Sequence, residues 1–179
     1  VYLPAAPWFP IHKTGREFLF SVGQLYEVPH ERLTTHVRGL LNLFELTSKG
    51  DADINSYSTG QRKKISICAA LVTDAPVLLL DEPFSGGLDP SGILALKRVL
   101  KGLVRRRKAT IVLTSPVPEL LEELEGRIAV LSKGKLVACD TVDGLRQASG
   151  CQGPLGEVLE CLLHPQTLDN LQLYFEECA

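Results

Sequence analysis

The sequence contains no methionine in its 179 residues and opens on Val1. A reading frame starts with Met, so this chain is expected to be part of a longer one that continues upstream. Cysteine is sparse. Cys68, Cys139, Cys151, Cys161 and Cys178 are scattered and odd in number, and none forms a Cys-x-x-Cys pair. That pattern gives no disulfide framework and fits reduced thiols. His12, His30, His36 and His164 are isolated, and none stands at metal-ligand spacing with a cysteine. No apolar run approaches the roughly 18 to 20 residues that cross a bilayer, and no signal peptide is visible. Any membrane-spanning part would have to come from another chain. One-sided charge is missing too: 19 Lys+Arg against 21 Asp+Glu leave a net charge of -2. This gives no electrostatic case for a nucleic-acid partner. The cluster Arg105-Arg106-Arg107-Lys108 falls at a helix end, where the helix dipole and solvation account for it.

What is present reads as alternating helices and strands. Val1 to Pro10, rich in proline and aromatics, reads as a strand end entering a loop. Thr14 caps a helix over 16–26, with Glu17 completing a capping box. Leu33, Val37, Leu40, Leu41 and Phe44 give helical spacing to 31–44, and 50–56 reads as a polar loop. Ser58 caps a helix to about Thr73, with Ile65, Cys68, Ala69 and Val72 as its inner stripe. The continuous apolar run Val77-Leu78-Leu79-Leu80 predicts a strand buried on both faces of a parallel sheet. A helix over 91–108, a second buried-type strand over 110–114 and a short helix over 118–124 follow. Arg127–Leu131 and Lys135–Cys139 predict a hairpin turned at Ser132-Lys133-Gly134. Beyond Gly150 the pattern weakens into two short helical pieces. The order specifies an α/β domain with a helical segment ahead of its sheet.

Three motifs carry chemistry. In Leu78-Leu79-Leu80-Asp81-Glu82-Pro83, two carboxylates follow a buried strand, where α/β folds place their ligands. Asp81 there suits Mg²⁺, directly or through water, and Glu82 suits a base that orients water toward a phosphate. An acidic turn after a strand is the plainer explanation of this segment taken alone. In Tyr57-Ser58-Thr59-Gly60-Gln61, a hydroxyl and a glycine open a helix whose free N–H groups and dipole favour an anion. By itself that segment is an ordinary capped helix. Ser85-Gly86-Gly87-Leu88-Asp89-Pro90 is a glycine-rich turn directly after the carboxylate pair.

Taken in order and spacing, the three resemble the ATP-binding subunits of ABC transporters. Tyr2-Leu3-Pro4 resembles the start of their Q-loop, Thr14 to Leu19 the opening of their helical subdomain, and Arg127 to Val137 their terminal hairpin. The resemblance implies an α/β, P-loop NTPase-like ABC ATPase core with a parallel sheet, an inserted helical subdomain and a C-terminal β-hairpin, without the N-terminal β-subdomain. Residues 1–150 would form the partial ATPase domain. Within it, 1–13 would be the Q-loop region, 14–73 the helical subdomain with the signature motif, and 74–150 the Walker B, D-loop, switch and hairpin segments. Residues 151–179 would be a C-terminal helical extension. The cofactors implied are ATP and Mg²⁺. Tyr57, Ser58, Thr59, Gly60 and Gln61 would form the signature loop, with Ser58 and Gly60 touching the γ-phosphate of ATP held by a partner subunit. Asp81 would serve Mg²⁺, through water, and Glu82 would be the catalytic base. Asp89 would lie in the D-loop at the dimer interface. The implied partners are a second ABC ATPase subunit, identical or not, and an integral membrane permease, with no nucleic acid. The subunit would sit in the cytoplasm, held to the inner face of the membrane by the permease, in the style of exporter subunits with separate membrane chains.

The sequence also departs from that family. It has no Gly-x-x-x-x-Gly-Lys-Ser/Thr, the loop whose backbone and lysine cradle phosphates, so the chain alone is expected to be inactive. Ala5 stands where the Q-loop glutamine is expected and Pro116 where the switch histidine is expected, and neither has a side-chain hydrogen-bonding group. Thr59 replaces the commonest glycine, and Gly86-Gly87 lengthens the D-loop by one residue. The intact Glu82 favours a hydrolysing motor. Ala5 and Pro116 favour a degenerate regulatory subunit of an asymmetric dimer. A chromosome-maintenance ATPase would need a long coiled-coil insertion, for which the stretch between Ala5 and Tyr57 is too short. Trp8, near the Q-loop, either packs or meets the membrane subunit.

Overall fold

The computed structural model describes residues 1–10, 12–164, 170 and 174. Two compact units divide the chain, 1–115 and 116–179.

In the first unit, three helices precede most of the sheet: α1 (Gly15–Leu25), α2 (His30–Leu43) and α3 (Thr59–Val72). Each begins where its sequence supplies a stop to the preceding loop. At α1 the capping box forms as expected: Thr14 Oγ1 accepts from Glu17 N at 3.2 Å, and Glu17 Oε2 accepts from Thr14 N at 2.9 Å. The α2 helix starts directly after Pro29, which stands at its N-cap without a side-chain capping bond. The segment expected to be a loop at 50–56 contains a 3₁₀ turn at Ile54–Ser56, capped by Asp53. Leu19, Leu33, Val37, Leu41, Phe44 and Ile65 are buried where the three helices meet, each side chain contributing about 1.5–3 kcal/mol. Tyr57 closes this core against Gly15, where an added Cβ would lie 2.3 Å from its hydroxyl oxygen.

The sheet has three parallel strands, in the order β1 (Tyr2–Leu3), β2 (Val77–Leu80), β3 (Thr110–Leu113). The long helix α4 (Pro90–Arg107) connects β2 to β3. The register sets Tyr2 and Val112 beside Leu79. The expectation that β2 and β3 are buried on both faces does not hold for this chain. Leu78 and Leu80 are buried, whereas Leu79 is 43% and Val112 56% exposed. Alternate residues point to opposite faces, and among the described residues only the face bearing Leu78 and Leu80 is buried. The apolar run reports strand propensity and leaves open what packs on each side.

The second unit pairs β4 (Ile128–Ser132) with β5 (Lys135–Asp140) as the expected antiparallel hairpin. Around it lie α5 (Pro118–Leu124), α6 (Val142–Ser149) and α7 (Leu155–Leu163). Ile128, Val130, Leu145, Leu155 and Val158 form one core. Glu122 joins the helices: it accepts from the Arg146 guanidinium and, at 3.0 Å, from Leu155 N. The α6 helix escaped the sequence reading, although Thr141 caps it and Gly150 ends it at φ 72°. Beyond 164, the expected C-terminal helical piece and Cys178 lie outside the described residues, positions 170 and 174 apart.

Candidate nucleotide site

All three parallel strands of the first unit end on the same side, and their last residues meet there. Asp81 and Glu82 follow β2, and Thr114 follows β3. The Thr114 hydroxyl donates to Asp81 Oδ1 at 2.7 Å and accepts from Glu82 N at 2.9 Å. Tyr2 OH lies 3.4 Å from Asp81 Oδ2, and Asp81 N donates to Leu3 O at 2.8 Å. Asp81 is thus held from both neighbouring strands, and Glu82 through its backbone N–H.

Glu82 adopts a left-handed backbone, with φ 44°. For a residue with a Cβ this costs about 1–3 kcal/mol. Three bonds hold it there: Glu82 N to Thr114, and the Glu82 carbonyl accepting from Ser85 N at 3.1 Å and Lys63 Nζ at 2.9 Å. Neutral bonds contribute about 1 kcal/mol each and charged ones about 1.5–3, so together they offset the strain. Lys63 is only 4% exposed. Burial lowers its pKa, and the charges of Glu82 and Asp81 oppose that shift.

The helix start at Ser58 approaches the same loop. Ser58 Oγ accepts from Gln61 N at 3.3 Å and Gln61 Oε1 accepts from Ser58 N at 3.0 Å, a second capping box. Thr59 is the first residue of α3. At Gly60 a Cβ would lie 2.7 Å from the Gly87 carbonyl oxygen, and Gly87 itself sits at φ 81°. The glycine expected to admit a phosphate therefore also admits the glycine-rich turn. Asp89 caps α4 by accepting from Gly92 N at 2.9 Å, and it accepts from Lys64 Nζ at 2.7 Å. The bond from Lys64 is the main reason its pKa falls below the usual carboxylate value.

Of the residues singled out in the sequence, Asp81, Glu82 and Asp89 lie between β2 and α4, and Ser58, Thr59, Gly60 and Gln61 lie at the start of α3, in one unit. Tyr57 is turned into the core, its hydroxyl donating to Lys49 O at 2.6 Å. Ala5 is exposed, and Pro116 opens the second unit. Trp8 is 80% exposed and so is no core residue. The sequence reading passed over Thr114, Lys63 and Lys64. The basic run Arg62-Lys63-Lys64, set directly after Gly60-Gln61 and ahead of the apolar remainder of the helix, was the available signal.

Among the described residues no three metal-ligating side chains gather. Asp81 is a single hard oxygen donor with its carboxylate oriented by Thr114. This fits a Mg²⁺ that keeps its waters and shares a nucleotide's oxygens, and does not fit a metal caged by protein alone.

Parallel strands followed by two carboxylates, with a capped helix and a glycine turn beside them, are the arrangement of a nucleotide-binding α/β domain. The comparisons agree with that class. The family described as ABC transporter matches residues 2–85. The daunorubicin resistance ATP-binding protein DrrA2 of Streptomyces coeruleorubidus is 34% identical over 137 residues, covering 76% of this chain and 42% of its own. An ABC transporter ATP-binding protein of Nostoc is 34% identical over 147 residues, covering 80% and 43%. A solved ATP-binding subunit of an ABC transporter superposes with a TM-score of 0.82 at 26% identity, covering 90% of this chain and 67% of its own. The chain belongs to the ATP-binding family of ABC transporters. It spans about two-fifths of the length of these bacterial relatives.

Proposed function

We propose that this chain supplies the signature loop, Walker B carboxylates and D-loop of an ABC motor subunit that hydrolyses ATP and drives a membrane permease. The observation that carries this reading is the clamped Glu82. A general base needs a fixed direction toward its water, and here the backbone on both sides of Glu82 is fixed by hydrogen bonds. Asp81 would hold Mg²⁺ through a water, and the ion would offset charge on the phosphates. Glu82 would orient the attacking water. Ser58 and Gly60, with Thr59 and Gln61 around them, would meet the γ-phosphate of a nucleotide on a second ATPase subunit, and Asp89 would lie at that interface. A structural neighbour, an ATP-binding cassette bound to ADP and phosphate, is itself a dimer; at 20% identity it supports the fold alone. No described helix is long and apolar enough to cross a membrane, so the permease would be a separate chain or segment. The exposed Trp8, after β1, suits contact with it. These 179 residues contain no phosphate-binding loop, so alone they would hold ATP weakly.

The test is Glu82→Gln in the complete gene product, which keeps the shape and removes the base. Turnover should fall by about 100-fold or more, and gel filtration with Mg-ATP should show a stable dimer. Unchanged turnover together with unchanged dimerisation would sink the hydrolytic reading.

A second reading rests on Ala5 and Pro116. With neither donor present, the subunit would be a regulatory one that sandwiches nucleotide without hydrolysing it.

A further inference from the structure

The α3 helix carries two consecutive buried lysines, and each reaches a different loop. Successive residues on a helix point about 100° apart, so Lys63 and Lys64 diverge from one turn of backbone. Lys63 Nζ donates to the Glu82 carbonyl at 2.9 Å. Lys64 Nζ donates to the Asp89 carboxylate at 2.7 Å and lies 3.8 Å from Glu45 Oε2 at the end of α2. Both side chains are almost entirely shielded from water. A buried ammonium is costly unless it is paired, so neither lysine is free to swing away while the loops stay in place. Lys63 also walls the glycine turn: a Cβ at Gly86 would lie 3.6 Å from its Cδ. One turn ahead, the same helix begins at Ser58 and touches Gly87 through Gly60.

We propose that Lys63 and Lys64 are positioning residues that tie the start of α3 rigidly to the loops bearing Glu82 and Asp89. This rests on the reading of Glu82 as base and of the α3 start as the contact to a neighbouring subunit's nucleotide. The consequence is mechanical. When nucleotide pulls on Ser58 and Gly60, the lysines one turn later carry the displacement into the Glu82 backbone. Occupancy at one site thereby sets the aim of the base at the other. Neither lysine need touch nucleotide. The left-handed Glu82 makes the device sensitive, because the backbone relaxes away from that conformation once its carbonyl is released.

The test uses the complete gene product with Lys63→Met, Lys63→Arg and Lys64→Met, read by amide hydrogen exchange and by steady-state phosphate release. In K63M, exchange across 82–86 should speed up about tenfold, as expected for one lost charge-assisted hydrogen bond. K63R should restore it. K64M should speed exchange across 88–92 instead. In K63M, kcat should fall by about 100-fold, the cost of a small misplacement of a reacting group, while KM for ATP stays unchanged and K63R recovers turnover. A residue that only stabilised the fold would lower thermal stability without this split. If K63M fails to fold, Lys63→Gln, whose amide is too short to reach the carbonyl, takes its place in both measurements. Unchanged exchange at 82–86 in the donor-deleted variant overturns the proposal, as does unchanged kcat in an active wild type. Faster exchange in a protein whose wild type releases no phosphate upholds the tether and overturns the motor reading instead.

Discussion

At the scale of single residues, the proposed site rests on a few hydrogen bonds within the first unit. Asp81 and Glu82 are oriented by Thr114, whose hydroxyl both donates and accepts. Ala5 and Pro116 have no hydrogen-bonding group in their side chains. Hydrolysis spreads charge over the γ-phosphoryl oxygens, and a preorganised donor in a closed site is worth on the order of 100-fold in rate. Restoring Ala5→Gln and Pro116→His in the complete gene product should therefore raise phosphate release, with the double variant fastest. Proline fixes its own φ, so the loop after Ser115 gains freedom as well as an imidazole. A wild type that already matches the double variant at saturating Mg-ATP would show that neither donor is missed.

At the scale of elements, local signals were legible and long-range ones were not. The helices at α1 and α3 begin at Thr14 and Ser58 because those hydroxyls cap the backbone, and caps are written within four residues. The strand β2 was legible as an apolar run; that its Leu79 faces outward was not, since burial depends on what another segment lays across it. The helix character of α3 was plain, but the burial of Lys63 and Lys64 depends on partners 19 and 25 positions away in the chain. The junction of α2, α3 and α4 shows the same limit. Asp74 follows α3 and takes an ion pair from the Arg107 guanidinium and another from Arg32 Nε at 2.6 Å. His36 of α2 stands beside it, Nδ1 3.9 Å from Asp74 Oδ2. Burial pushes the His36 pKa below its ordinary 6.5; Asp74 opposes the shift, and Arg107 and Arg32 reinforce it. The unfolded chain consequently takes up that proton first. Stability from this group is intact above pH 6.5 and declines as pH falls from there toward the folded pKa. The melting temperature should drop between pH 7 and pH 5, and less so in His36→Gln. An equal drop in the variant would clear His36 of any part in it.

At the scale of the whole molecule, the fold class follows from the order of elements, and the division into two units follows from where cores close. The second unit has a core of its own because Ile128 and Val130 alternate inward from β4 while α6 and α7 supply Leu145, Leu155 and Val158. The first unit leaves the row Tyr2, Leu79 and Val112 facing solvent. Its β3 strand also has a side to which no other described strand is bonded. A β-branched, uncharged edge with an apolar face is a template for another chain's backbone. Handled alone, this polypeptide should have a concentration ceiling: sedimentation velocity should show growing oligomers as protein is raised, and Val112→Lys should lift that ceiling by placing a charge on the edge. If both proteins sediment as monomers at every concentration, the edge is harmless. Otherwise the flat hydrophobic row that lets β2 and β3 pair in register also limits the shelf life of the purified chain, and crowding rather than heat would be its commonest route to loss.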